Sequence, residues 1–186
     1  MGYVDLNQND RTDWVTPPIC RELLAEFAPL KLDVCTNPDN PMQAEQFYTP
    51  ETDGLIQSWE CGGLVWCNHP WSRNDSPKWV NRAVEQGNLM QAHDSGELVL
   101  LGPSRPDTAW FRNIWGSANV IYFWKGRVTF HHPVSGLPCM GWDKKNKKWT
   151  VQPCPVPVQL SYWGARPQKF VETFSKQGGV FADLTR

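Results

Sequence analysis

The sequence predicts an α/β fold, an open sheet flanked by helices, with a β-hairpin extension in the C-terminal third. Three observations carry this. Short apolar runs bounded by turn residues (Leu30 to Val34, Leu64 to Cys67, Glu97 to Leu101, Val120 to Trp124) have the length and composition of buried strands. Segments with apolar residues at helical spacing lie between them. The run Leu64-Val65-Trp66-Cys67 stops abruptly in Asn68-His69-Pro70-Trp71-Ser72. An amide, a proline and an indole thus stand at the carboxyl end of a strand, where open α/β sheets bind ligands.

Taken in order, Thr16 is the expected N-cap of a first helix, with Pro17 at its first position and Ile19, Leu23, Leu24 and Phe27 on one face. This helix runs from about Pro17 to Ala28, and the strands Leu30 to Val34 and Leu64 to Cys67 follow. A second helix starts at Ser76, carries Trp79, Val80, Ala83 and Val84 on its apolar face, and is expected to end at Gly87. With the strand Glu97 to Leu101 it completes a βαβ unit. Next come a helix from about Asp107 to Trp115, stopped by Gly116, and the strand Val120 to Trp124. Arg127 to His131 and Val156 to Trp163 read as strands, and Pro133 to Pro155, rich in turn formers, as a hairpin extension on the sheet. A last helix from Pro167 to Lys176 buries Phe170, Val171 and Phe174, ahead of an edge strand from Val180 to Ala182.

A chain of 186 residues without a Ser/Gly linker or long charge run is expected to form a single domain over residues 1–186. Its formal charge of -1 gives no global electrostatic case for nucleic acid, so any such binding must rest on local patches. One candidate is Lys144-Lys145-Asn146-Lys147-Lys148-Trp149, read either as a phosphate-binding cluster with a stacking face or as a solvated hairpin tip. Eleven tryptophans are many for this length, and some are expected outside the core as stacking or interface surface. No apolar run approaches the roughly 20 residues of a membrane span, and the N-terminus lacks the apolar stretch of a signal peptide. The expected location is the cytoplasm, with no membrane partner. Six cysteines at positions 20, 35, 61, 67, 139 and 154 form no Cys-x-x-Cys pair. Combinations such as Cys61, Cys67 and His69, or His131, His132, Cys139 and Cys154, match no familiar zinc spacing, so free thiols and no metal are expected.

The residue types from Asn68 to Trp71 suit one chemistry. The Asn68 side-chain oxygen and the His69 carbonyl can both accept hydrogens from a single exocyclic amine, while Trp71 offers a flat face to a base taken out of its stack. The exocyclic amine of a base is a poor nucleophile because its lone pair is delocalised into the ring. Two acceptors pulling its hydrogens toward a geometry that frees the lone pair do the work by positioning and electrostatics. The alternative is a proline turn closing a strand, with Trp71 in the core.

Asn68-His69-Pro70-Trp71 resembles the Asn-Pro-Pro-aromatic motif of S-adenosylmethionine-dependent amino-methyltransferases acting on adenine, with His69 where the family usually has its first proline. Five further pieces follow the order of the compact phage-type DNA N6-adenine methyltransferases. Asp13-Trp14-Val15-Thr16-Pro17-Pro18 resembles the aromatic-x-Thr-Pro segment before the cofactor strand, and Lys31-Leu32-Asp33-Val34-Cys35-Thr36 the acidic strand end after it. Asp53-Gly54-Leu55 is similar to an Asp-x-Leu segment before the catalytic strand. Leu98 to Phe111, with Pro103-Ser104-Arg105-Pro106-Asp107-Thr108, is similar to the next strand, loop and aromatic helix, and Gly126-Arg127-Val128-Thr129-Phe130 to a later strand. The match spans about Asp13 to Trp163.

The resemblance implies a Rossmann-like methyltransferase sheet, with S-adenosylmethionine as cofactor and double-stranded DNA with a flipped adenine as substrate. It implies a catalytic set of Asn68, His69, Pro70 and Trp71, and a cofactor site of Trp14, Thr16, Pro17, Asp33, Cys35 and Asp53. DNA contacts are expected at Ser72, Arg73, Arg105, Lys144, Lys145, Lys147, Lys148 and Trp149. The absence of a separate recognition domain is similar to phage enzymes, which would act in the cytoplasm of a bacterial host. Two departures stand against the pattern. Asn37-Pro38-Asp39-Asn40 stands where larger relatives carry a Gly-rich turn, and His69 either tolerates the proline position, bonds the substrate, or takes a proton. Thr16 is read as helix cap, cofactor contact or both; Asp53 as cofactor contact or Asx-turn. Cytosine N4 or RNA adenine as acceptor, and a degenerate nucleic-acid-binding or decoy protein on the same fold, remain the alternatives.

Overall fold

A computed structural model describes residues 15–132 and 135–185. Seven strands form one sheet in the order β2-β1-β3-β4-β8-β5-β9. β1 (Leu30–Asp33), β2 (Gln46–Phe47), β3 (Leu64–Asn68) and β4 (Glu97–Pro103) are mutually parallel. β8 (Val158–Trp163) runs antiparallel between β4 and β5 (Val120–Phe123), and β9 (Val180–Asp183) closes the far edge antiparallel to β5. This is a mixed sheet of Rossmann-like character, as expected from the alternation of apolar runs and amphipathic helices.

Each face of the sheet has its own core. Helices α1 (Pro18–Phe27) and α4 (Pro167–Ser175) cover the face bearing Leu64, Trp66, Val99, Leu101, Tyr122, Leu160 and Tyr162. Cys20, Leu23, Leu24 and Phe27 of α1 recur at helical spacing and are all buried, and Phe170 and Phe174 of α4 join them. Helices α2 (Ser76–His93) and α3 (Ala109–Trp115) cover the opposite face, which carries Leu32, Val65, Cys67, Leu98, Leu100, Ile121 and Trp163. Because β3 and β4 are buried on both sides, their sequences are continuous apolar runs rather than alternating ones.

Several sequence expectations are corrected. α2 does not end at Gly87. It continues to His93, where Asp94 takes the left-handed conformation and caps it. Gly87 instead allows close helix–sheet approach, since a Cβ there would lie 2.6 Å from the Trp163 ring. Thr16 is not the cap of α1; Pro17 holds that position without a side-chain cap. Arg127 to His131 form no ladder strand. Val128 and Phe130 are buried, but the backbone bonds of this segment go separately to Cys154, Cys139 and Val15. Alternating burial therefore imitated a strand in a strap that pins the start of α1 through the Val15–His131 bridge. The hairpin, β6 (Met140–Asp143) with β7 (Lys148–Val151), is a separate two-stranded sheet rather than an extension of the main one. The expected segment begins at Pro133, outside the described residues. β2 was not foreseen, being two exposed residues with no pattern. Among the described residues no helix is long and apolar enough to cross a membrane, and all six cysteines are free thiols.

Candidate active site at the carboxyl ends of β1 and β3

Parallel pairing puts the carboxyl ends of β1 and β3 side by side, so Asp33 and Asn68 emerge at the same edge of the sheet. A cleft of about 240 Å³ opens there, lined by Val15 and Thr16 before α1, by Asp33, Cys35 and Thr36 after β1, by Tyr48 to Pro50, Asp53 and Gly54, and by Asn68, Pro70 and Trp79. A larger depression of about 410 Å³ lies at the amino ends of the strands. It is the wrong end for ligands in such sheets. Its buried carboxylate, Glu97, is already committed to Arg166 and the Tyr162 hydroxyl.

Asp33 is 2 % exposed and accepts a hydrogen bond from the Cys35 amide at 3.2 Å and another from the Thr36 side chain. No cation pairs with it among the described residues, and burial pushes its carboxyl up to about 8. A buried carboxyl facing a cleft can take ligand hydroxyl or ammonium hydrogens once it gives up its proton. Asp53 forms the Asx-turn foreseen as its structural reading, with Oδ1 accepting from the Leu55 amide at 3.1 Å. It nevertheless lines the cleft, in the left-handed conformation at φ 50°. Gly54 presses so closely on β1 that a Cβ would lie 2.0 Å from the Val34 carbonyl oxygen. Its own carbonyl accepts from Trp59 Nε1 at 2.7 Å, and Trp59 stacks on Trp79 at 6.2 Å between ring centroids. This support was missed in the sequence, where Trp79 registered only as helix core. The Thr49-Pro50 turn was a signal that could have found the facing wall.

Asn68 is half-buried. Its Nδ2 donates to Thr16 Oγ1 at 3.1 Å, and its Oδ1 accepts nothing among the described residues. His69 is buried beside it but does not line the cleft. Its Nδ1 lies 2.9 Å from the Pro70 carbonyl, which makes Nδ1 the protonated nitrogen and leaves Nε2 bare, unpartnered and close to Gly102. Burial holds this imidazole down at about 4. The ring is therefore neutral at physiological pH and lies outside the cleft lining. Trp71 is half-buried with its ring edge-to-face on Phe130, 5.1 Å between centroids.

The other expected residues divide. Cys35 joins the cleft wall, whereas Pro17 is buried outside it, and Trp14 lies outside the described residues. Ser72 spends its hydroxyl on the start of α2, donating to Asp75 Oδ2 at 2.5 Å and accepting from the Asp75 amide at 3.0 Å. Arg73 is exposed nearby in sequence. Arg105 pairs with Asp107 at 3.2 Å on the surface, and Thr108 caps α3, which starts at Ala109 rather than at Asp107. Lys144, Lys145, Lys147 and Lys148 are all exposed at the hairpin turn and form no ion pair among the described residues. Asp143 fixes that turn by accepting from the Lys145 and Asn146 amides, and Trp142 meets Trp149 across the strands at 5.9 Å.

The family described as "DNA N-6-adenine-methyltransferase (Dam)" matches residues 4–154. The chain belongs to the Dam family. A relative from Escherichia phage T1, described as "DNA N-6-adenine-methyltransferase", is 29 % identical over 153 residues, covering 72 % of this chain. The chain spans 58 % of that relative's length. The family match includes every residue lining the cleft and reaches through the hairpin, so the cleft and the lysine turn both lie within the Dam-family region.

Proposed function

We propose that this chain transfers a methyl group from S-adenosylmethionine to the N6 amine of adenine in DNA. The observation that carries the reading is Asn68, held at the carboxyl end of β3 with Nδ2 tied to Thr16 and Oδ1 accepting nothing among the described residues, at a cleft that Asp33 also lines. The cleft fits the cofactor, because Asp33 is a buried carboxyl without a cation and Asp53 retains an uncommitted oxygen. Thr16, Asp33, Cys35 and Asp53 would hold the cofactor, which when bound supplies an electrophilic sulfonium methyl. Asn68 Oδ1 and the His69 carbonyl accept the two hydrogens of the amine, Pro70 restrains the His69 backbone to an extended conformation, and Trp71 supports the flipped base. Because β3 is buried on both faces, these acceptors are fixed in advance of substrate.

Asp33 gives the test. Its carboxyl is neutral below about 8 in the free chain, whereas ligand hydroxyls or an ammonium bind best to its ionised form. Binding should therefore expel a proton, and affinity should rise from about pH 6 to about pH 8, then level off. The fold shows the converse sign: a raised carboxyl favours folding below the unfolded value near 4 and loses that contribution as pH climbs to about 8. Isothermal titration with S-adenosylhomocysteine in buffers of different ionisation enthalpy measures both. Asp33→Asn should abolish the proton release. A protein that binds DNA but never S-adenosylhomocysteine would be the decoy alternative.

DNA contact is expected at the hairpin, since the chain as a whole is nearly uncharged. Replacing Lys144, Lys145, Lys147 and Lys148 by glutamine should weaken DNA binding and flatten the slope of log affinity against log salt by up to about 3 units, leaving S-adenosylhomocysteine binding intact. An unchanged slope makes the cluster a solvated turn.

A further inference from the structure

Thr16 precedes a helix it does not cap. It is 7 % exposed, and its hydroxyl faces β3 instead, where Oγ1 accepts from Asn68 Nδ2 at 3.1 Å and from Trp66 Nε1 at 3.3 Å. Trp66 and Asn68 are two apart on one strand and so share a face. The indole nitrogen can only donate, so it permanently occupies one lone pair of the Thr16 oxygen, and the Asn68 amide takes the other. We infer that Thr16 is a positioning residue whose hydroxyl sets the direction of the Asn68 amide, so that Oδ1 rather than the NH₂ group meets the substrate amine.

The inference rests on the proposed adenine methylation and adds a requirement to it. An aspartate at position 68 would present an acceptor either way round. An asparagine would not: turned over, its NH₂ opposes the incoming amine, donor against donor, and the lone pair is no longer freed. An asparagine acceptor therefore needs a partner that holds its nitrogen. The fold provides for that partner from two sides. The Val15–His131 bridge, with bonds of 3.0 and 3.2 Å, ties the backbone next to Thr16 to the strap, and Pro17 caps α1 immediately after it. With both lone pairs taken, the hydroxyl hydrogen is the only bonding capacity Thr16 has left, and Thr16 lines the cleft. An acceptor group of the cleft's ligand that takes this hydrogen stops the hydroxyl from donating to Asn68, which leaves the amide a single orientation.

The test is a cycle of Thr16→Val and Thr16→Ser in the native and Asn68→Asp backgrounds. Methyl transfer to unmethylated DNA is read at saturating S-adenosylmethionine, alongside S-adenosylhomocysteine affinity and the ¹⁵N signals of the Asn68 side-chain amide. Thr16→Val should lower kcat about tenfold in the native background, Thr16→Ser should retain most of it, and the valine penalty should shrink severalfold when residue 68 is a carboxylate. The Asn68 amide signals should shift on adding S-adenosylhomocysteine to the native chain and not to Thr16→Val. An equal valine penalty in both backgrounds would mean packing around Trp66 and would overturn the inference. A loss of S-adenosylhomocysteine affinity with kcat unchanged would reduce Thr16 to a cofactor contact and overturn it too. A native chain with neither transfer nor S-adenosylhomocysteine binding fails the proposed function itself, a result separable from both.

Discussion

Asn68→Ala is expected to lower kcat for adenine methylation by about 10² to 10³, by analogy with loss of one preorganised hydrogen-bonding group at a reacting centre. The amide oxygen is the only side-chain acceptor that β3 delivers to the cleft, and a methyl group cannot draw on the amine hydrogen. Folding should survive, because Asn68 is half-buried and Thr16 keeps its bond from Trp66. S-adenosylhomocysteine affinity should change little, since Asp33 and Asp53, which belong to β1 and to the loop after β2, keep their places in the cleft wall. Radiolabel transfer to unmethylated DNA, with the Kd measured on the same preparation, separates the two quantities. Transfer at the parent rate would mean that the motif has been misread.

The contrast between Asn68 and His69 shows why one part of the site was legible in the sequence and another was not. An apolar run ending in an amide and a proline announces a strand end, and parallel pairing then fixes where that end lies, so the emergence of Asn68 and Asp33 at one cleft was readable from the strand ends. The role of His69 depends on which way its ring turns, and the bond of its Nδ1 with the Pro70 carbonyl is a matter of rotamer that no sequence pattern records. Thr16 misled for a related reason. Thr-Pro-Pro before an amphipathic run has the composition of a cap, yet the long-range demand of Trp66 and Asn68 for an acceptor prevailed over the local one. Gly87 read as a helix stop because glycine usually is one, whereas here it serves the Trp163 ring packed across from it. The four helices, the strands of the main sheet other than β2, and their order rest on periodicity and were read correctly. The strap from Arg127 to His131 has the periodicity of a strand, but its backbone bonds are divided among Cys154, Cys139 and Val15 rather than forming one ladder, a difference that periodicity does not record.

Gly54→Ala is expected to be the most disruptive single-methyl change at the cleft. The added carbon would stand 2.0 Å from the Val34 carbonyl oxygen and 3.2 Å from Trp79 Cη2. Val34 cannot give way, because its amide is bonded to the Trp66 carbonyl at 3.0 Å next to β3. The loop must retreat instead, taking with it the Gly54 carbonyl that Trp59 Nε1 needs and the left-handed Asp53. Overpacking of this kind costs about 3 kcal/mol, or roughly 10 °C in Tm for a chain of this size. S-adenosylhomocysteine affinity should fall at least about tenfold as Asp53 leaves the wall. Gly102→Ala is the control, since its new methyl would meet only His69 Nε2 at 3.7 Å, an ordinary contact, and should leave both quantities near those of the parent. If thermal melts and titrations find the two variants alike, the pressure of the 53–54 turn on β1 is not what holds the cofactor side of the cleft in place, and Asp53 is an Asx-turn residue and nothing more.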